Sequence, residues 1–304
     1  MRYRSMVADS ARWDGFGLRP DDIIISTPAK CGTTWMQMIC ALLVFQSTDL
    51  YEPLDLVSPW LDVLLADRAT VVARLEAQQH RRFIKTHTPL DGLPFDDAVT
   101  YIGVVRDPRD VALSWDNHMT NMDFVAFLAA RQNAVGLEDI AELLAGGPPL
   151  PLGLAVDRFW AWVENPNPIA SEFSLASMLH HVGTLWEVRE RPNVVLVRYE
   201  DLKADLGGQM RRIADRLGIV VRDDLWPALV DAATFDRMRR RAAEVTPEIT
   251  KSLWLDSDRF FHRGTSGQWR DLLDDEDLRR YAAAVAALAP PDLAAWIHHE
   301  ALPA

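Results

Sequence analysis

The chain has 304 residues, 49% of them hydrophobic, which suffices for one large core or two small ones. Its 32 lysines and arginines against 44 aspartates and glutamates leave a formal net charge of −12, which speaks against a general nucleic-acid binder and requires any anionic ligand to be drawn in by local cations. No run of about 18 apolar residues occurs and the N-terminus carries no apolar leader, so neither a membrane span nor a signal peptide is expected, and a cytoplasmic protein is.

In chain order, residues 23–26 (Ile-Ile-Ile-Ser) read as a short buried strand and residues 34–43 as the apolar helix that follows it. Between them lie Lys30, Gly32 and Thr33, followed by Thr34. Backbone N–H groups and the positive end of the helix dipole therefore face a turn that carries a full positive charge and two hydroxyls. Such a turn seats an oxyanion. Lys30 precedes the lone Gly32, however, so the turn misses the nucleotide-kinase pattern G-x-x-x-x-G-K-[ST], and a plain strand-turn-helix would look alike. Cys31 and Cys40, nine residues apart, read as free thiols.

A helix is predicted over 67–79, then a short strand at Phe83 and Ile84 that ends in Lys85, Thr86 and His87. Residues 101–105 form another buried strand, and Arg106, Asp107 and Pro108 turn it into a helix with Asp107 as its cap and Pro108 at its first position. This repeats the grammar of the first turn. Arg106 sits at the carboxyl end of its strand, and Ser114, two turns along the helix, reaches the same ligand only if the helix start folds over it. The Gly/Pro-rich stretch 145–153 reads as a loop, 156–163 and 175–190 as helices, and 194–197 as a last strand. Strands alternating with helices predict an α/β fold: a central, mostly parallel sheet with helices on both faces, built as one domain over residues 1–304. Three charged loops at strand ends then share the edge where open parallel sheets bind ligands. Taken singly, Lys85 and Arg106 read equally well as exposed charges, and His87 as a structural or solvated histidine.

Taken together, the motifs resemble the cytosolic-type sulfotransferases that use 3′-phosphoadenosine 5′-phosphosulfate (PAPS), over about residues 21–270 and in that family's order. Lys30-Cys31-Gly32-Thr33-Thr34-Trp35 is similar to its 5′-phosphosulfate loop, Lys85-Thr86-His87 to its catalytic Lys-Thr-His, and Arg106 with Ser114 eight residues on to its 3′-phosphate motif. Tyr199-Glu200-Asp201-Leu202 resembles the adenine-side tyrosine motif, and residues 263–270 its late glycine loop. The chain departs from the pattern at Cys31, where serine is usual; at His262 and Arg263, where arginine and lysine are; and at Gln268, where aspartate is. His262 makes one charge near the 3′-phosphate conditional on pH, so donor affinity is expected to weaken above the histidine pKa of about 6.5.

The resemblance implies a P-loop-like sulfotransferase fold, with PAPS as donor and adenosine 3′,5′-bisphosphate as product. It also implies cofactor contacts from residues 30–35, Arg106, Ser114, Tyr199, Phe235, His262, Arg263 and Gly264. Sulfuryl transfer leaves charge on a phosphate and a proton on the acceptor, by analogy with phosphoryl transfer. Lys30 and the Thr33 and Thr34 N–H groups suit the first task, His87 as general base the second, and Lys85 the sulfuryl oxygens. These fixed cations make a metal unnecessary. Trp35 and Phe235 are the candidates to sandwich adenine, although aromatics at such positions are by default core residues. For the family's apolar acceptor pocket the candidates are the stretches Phe16-Gly17-Leu18, Trp60-Leu61, residues 124–128 and residues 254–261, each of which also reads as helix core; their aromatics and leucines suit a lipophilic alcohol, phenol or glycolipid as acceptor. A nucleotide kinase on a degenerate P-loop and an inactive nucleotide-binding protein remain as alternatives, and the sequence leaves a homodimer open.

Overall fold

The isoleucine run forms β1 (Ile23–Ser26), with every residue buried. In a computed structural model that describes residues 1–143, 153–165, 173–241, 253–256, 264–299 and 302, β1 lies between β2 (Phe83–Thr86) and β3 (Thr100–Val105), and β3 pairs in turn with β4 (Val194–Arg198). All three pairings are parallel, with Ile24 level with Ile84 on one side and Tyr101 on the other, and Ile102 level with Val195. The sheet is thus wholly parallel where a mostly parallel one was expected.

After β1 the chain enters α1 (Thr33–Phe45), then α2 (Leu54–Val57) and α3 (Arg68–Ala77) on the way to β2. From β3 it enters α4 (Pro108–Thr120), and α5 (Phe124–Val135), α6 (Ile140–Leu143), α7 (Ala155–Val163) and α8 (Leu175–Trp186) precede β4. Beyond β4 come α9 (Tyr199–Ala204), α10 (Leu206–Leu217), α11 (Trp226–Ala232), α12 (Phe235–Arg240), α13 (Asp275–Leu288) and α14 (Pro291–His298). Asp67 stays outside α3 because its carboxylate accepts the Thr70 N–H as a cap, which shortens the helix expected over 67–79. The helix expected to reach 190 ends at Trp186, and the residues that follow form turns ahead of Pro192.

Alternation along β1 sorts the core. Ile23 and Ile25 pack with α1, α10 and α11 on one face, whereas Ile24 meets Ile84, Tyr101 and Leu185 of α8 on the other. A further cluster joins α4, α7, α8 and α13. Because the order is β2-β1-β3-β4, the chain leaves β1 toward one edge and returns at β3 toward the other. The loops after β1 and β3 therefore diverge around one crevice, the switch point at which doubly wound sheets take their ligands.

Candidate active site

The loop after β1 is shaped by two left-handed residues, Lys30 at φ 66° and Gly32 at φ 106°. A side chain at Gly32 would bring its Cβ within 3.0 Å of the Tyr199 ring, so only glycine lets β4's end and this turn approach so closely. Lys30 adopts the same region without that freedom, a local strain of the kind held in place at functional loops. Gly32 caps α1 with no side chain, which leaves the first N–H groups of a 13-residue helix facing the crevice. Thr33 is buried, and its hydroxyl shares a 2.6 Å hydrogen bond with Thr27. Cys31 turns away from the crevice into the cluster with Val105 and Trp160, where burial pushes its thiol up to about 12. Cys31 and Cys40 are both free, as expected.

At the end of β3, Arg106 is 6% exposed. Its Nη2 donates to the Thr265 carbonyl at 2.9 Å, the guanidinium carbon lies 4.7 Å from the Tyr199 ring centre, and Nε is buried with no hydrogen-bond partner among the described residues. Asp107 caps α4 through the Arg109 N–H at 2.9 Å. One turn on, the Asp110 carboxylate accepts the Gly267 and Gln268 N–H groups at 2.7 and 3.1 Å and moors the late loop beside Arg106. The Gln268 side chain, where the resemblance has aspartate, donates to the Thr265 carbonyl at 3.2 Å. Gly264, at φ 62°, lies so close to Phe235 that a Cβ there would sit 2.7 Å from the ring.

The third loop carries the histidine. His87 Nδ1 lies 2.7 Å from the Thr27 carbonyl, which can only accept, so the proton is on Nδ1 and Nε2 keeps a lone pair. Burial, then the neighbouring Lys85 and Lys30 charges, hold this imidazole well below its usual value, and it is neutral at pH 7. Trp60 meets it edge-on at 4.8 Å and lies under the Lys85 ammonium at 4.1 Å. Burial, Arg106 and Lys85 lower the Lys30 ammonium to about 8.

These groups open into one cavity. Lys30, Gly32, Thr33, Thr34, Lys85 and His87 line it together with Trp35, Arg106, Ser114, Tyr199, Phe235 and Gly264. His262 and Arg263 lie outside the described residues. Trp35 is fixed at the rim by its Nε1–H, which donates to the Ala233 carbonyl at 2.7 Å, and by an edge-on contact with Tyr199. From the apolar stretches expected to form an acceptor pocket, Trp60, Phe127 and Trp254 line the cavity. Phe16 and Leu61 do not: Phe16 packs on Trp13 under the Arg82 guanidinium and Leu61 sits in the core between α3 and β2, so burial claimed both. Leu255 is exposed, and residues 257–261 lie outside the described residues.

Two features escaped the sequence reading. Asp62 is buried, and one of its oxygens accepts from the hydroxyls of Thr86 and Thr88 at 2.5 and 2.6 Å and from Trp13 at 3.1 Å, so it clamps the backbone on both sides of His87. Nothing in the spacing links Asp62 to His87; the segment 59–62 arrives there by pairing beside β2, with Lys85 N–H bonded to the Pro59 carbonyl. The other is His118, four residues after Ser114 and hence on the same stripe of α4, where it also lines the cavity.

A model of the sulfotransferase domain family matches residues 20–289. The chain is 46% identical over 308 residues to a glycolipid sulfotransferase of Mycobacterium bovis and 44% identical over 310 residues to one of Mycobacterium tuberculosis, in each case covering 97% of this chain and 93% of the relative. Among solved structures, a retinol dehydratase in complex with androsterone and the inactive cofactor PAP aligns with a TM-score of 0.69 at 23% identity, over 91% of this chain and 83% of that one. A mouse sulfotransferase complexed with PAP aligns at 0.65 and 20%, over 91% and 87%. At these identities the structures speak for the fold.

Proposed function

Because the chain belongs to the sulfotransferase family, we propose that it moves the sulfuryl group of PAPS onto a hydroxyl of a glycolipid or similarly lipophilic acceptor, with His87 as the general base. The observation that carries this reading is the convergence of Lys30, His87 and Arg106 on one cavity at the strand-order switch. The names of the mycobacterial relatives support the acceptor class, and the PAP in the structural neighbours supports the donor.

The residues present fit a donor with an anion at each end. Arg106 offers a buried Nε with no partner among the described residues, and α1 offers N–H groups with no side-chain cap. Two anion seats are what an enzyme needs in order to require a 3′-phosphate as well as the 5′ group. When bound, PAPS supplies a sulfur–oxygen bond whose leaving group is a phosphate. His87 Nε2 takes the acceptor hydroxyl's proton as that oxygen bonds to sulfur. Lys30 and the start of α1 hold the electron pair that stays on the phosphate oxygen, Lys85 bears on the sulfuryl oxygens, and Arg106 with Ser114 grips the 3′-phosphate. Fixed cations thus do the work for which phosphoryl-transfer enzymes use a metal. The same reading takes the chain as one domain working in the cytoplasm; no helix among the described residues is long and apolar enough to cross a membrane.

Calorimetry tests the donor. Adenosine 3′,5′-bisphosphate is expected to bind more tightly than AMP or ATP, and Arg106→Ala to erase about 10- to 100-fold of that preference, the worth of a charge-assisted hydrogen bond. Tighter binding of ATP would instead favour a kinase, and binding of none an inactive relative.

The pH profile follows from Lys30. Its value of about 8 means that the ammonium is present below that pH and lost above it. With the donor subsaturating, kcat/KM is expected to show, beyond the weakening expected from His262 near pH 6.5, a second and steeper fall above pH 8 that approaches tenfold per unit. No decline is expected on passing down through pH 6.5, since His87 keeps its lone pair there. Donor-saturated kcat should hold to higher pH, because bound anionic groups favour the ammonium. A limb that begins only near pH 10 would contradict the burial of Lys30.

A further inference from the structure

We infer that His118 is a second polar contact for the acceptor: its Nε2–H donates to an oxygen on the carbon next to the one whose hydroxyl gives its proton to His87. The site would therefore select acceptors with two oxygens on neighbouring carbons, as in the ring of a sugar headgroup. The inference rests on the sulfuryl-transfer reading and narrows its acceptor.

The geometry fixes the polarity of both imidazoles. Lys30 Nζ lies 3.2 Å from His118 Nδ1, and an ammonium can only donate, so Nδ1 accepts and the ring proton sits on Nε2. His87 is the opposite tautomer, with its Nδ1–H spent on the Thr27 carbonyl and Nε2 bare. Neither Nε2 has a partner among the described residues, neither is a sealed-off buried atom, and both rings line the same cavity. One cavity thus presents one hydrogen-bond acceptor and one donor, each locked by a contact on the far side of its ring. Burial together with the Lys30 and Lys85 charges holds His118 well below the usual imidazole value, so it stays neutral and keeps this tautomer. A lone hydroxyl satisfies only His87. A neighbouring pair satisfies both, with the reacting hydroxyl donating to His87 and its neighbour accepting from His118.

The walls agree with a ring-shaped acceptor. His118 sits between Trp115, at 5.3 Å, and Trp254, at 4.6 Å, and Trp115 stacks on Phe173 at 3.7 Å. These flat apolar faces can lie against the C–H face of a sugar while the two imidazoles read its edge.

The test compares octyl glucoside, whose secondary hydroxyls all have oxygen neighbours, with 1-octanol, which has a single hydroxyl, using labelled PAPS. His118→Asn leaves an oxygen near the Nδ1 position for Lys30 but removes the Nε2 donor; His118→Gln places an amide N–H near Nε2. The wild type is expected to prefer the glucoside. His118→Asn should lose about 10- to 100-fold in kcat/KM for the glucoside and less than threefold for octanol, and His118→Gln should recover most of the preference. Equal losses on both acceptors would mean that His118 acts only through Lys30, and no loss on either would mean that it contacts nothing; each overturns the inference and leaves the sulfotransferase reading standing. Tight binding of adenosine 3′,5′-bisphosphate with no transfer to either alcohol would overturn the lipophilic-alcohol acceptor and this inference with it.

Discussion

His87→Ala is expected to lower kcat by about 10²- to 10⁴-fold while leaving the affinity for adenosine 3′,5′-bisphosphate within a few-fold of the wild type. The size follows from the role: a positioned base is worth that much when it takes a proton in the transition state, and His87 is positioned on every side. Its Nδ1–H is committed to the Thr27 carbonyl, its ring meets the Trp60 edge, and the residues before and after it hang on one Asp62 oxygen. The separation of effects follows from the map of the cavity, because the proposed anion seats belong to the loops after β1 and β3, whereas His87 follows β2. Single-turnover rates with labelled PAPS and calorimetry with the bisphosphate read the two quantities independently. A variant that turns over normally but binds the nucleotide a hundredfold more weakly would make His87 a donor-binding residue and remove it from the chemistry.

How much of this could be read from the chain alone depends on whether the signal was local. The strand at 23–26, its charged turn and the helix after it lie within about twenty residues, and so do Arg106, the Asp107 cap and Pro108; β-branched runs, a cap and a glycine fix such units without help from afar. That they share one crevice is a fact of strand order, which the alternation of strands and helices implies but does not specify. Asp62 was out of reach, since its bond to the threonines around His87 is made by a segment with no regular structure of its own. Phe16 and Leu61, candidates for either pocket or core, fall in the core for the converse reason: an aromatic or leucine near a loop looks alike whether it lines a pocket or fills the core, and burial decides. The tautomers of His87 and His118 were likewise illegible, because each depends on a partner far off in sequence, Thr27 and Lys30.

Lys30→Met is expected to cost about 10²- to 10³-fold in kcat, the range for removing one preorganised group from a developing oxyanion, and to weaken donor binding as well. Lys30→Arg separates charge from shape. A guanidinium stays protonated at any accessible pH, so in this variant the fall in kcat/KM above pH 8 should vanish, even though the rate below it drops because a planar fork replaces a point charge on a left-handed residue. The methionine variant carries a further sign. Lys30 is one of the charges that depress His87, so removing it lets the imidazole value rise, and an acid limb absent from the wild type at pH 6 should move toward neutrality. The two variants therefore shift opposite ends of one pH profile. Were the alkaline fall to persist in Lys30→Arg, the titrating group would be another residue, and the half-buried ammonium after β1 could not be the one that holds the leaving phosphate.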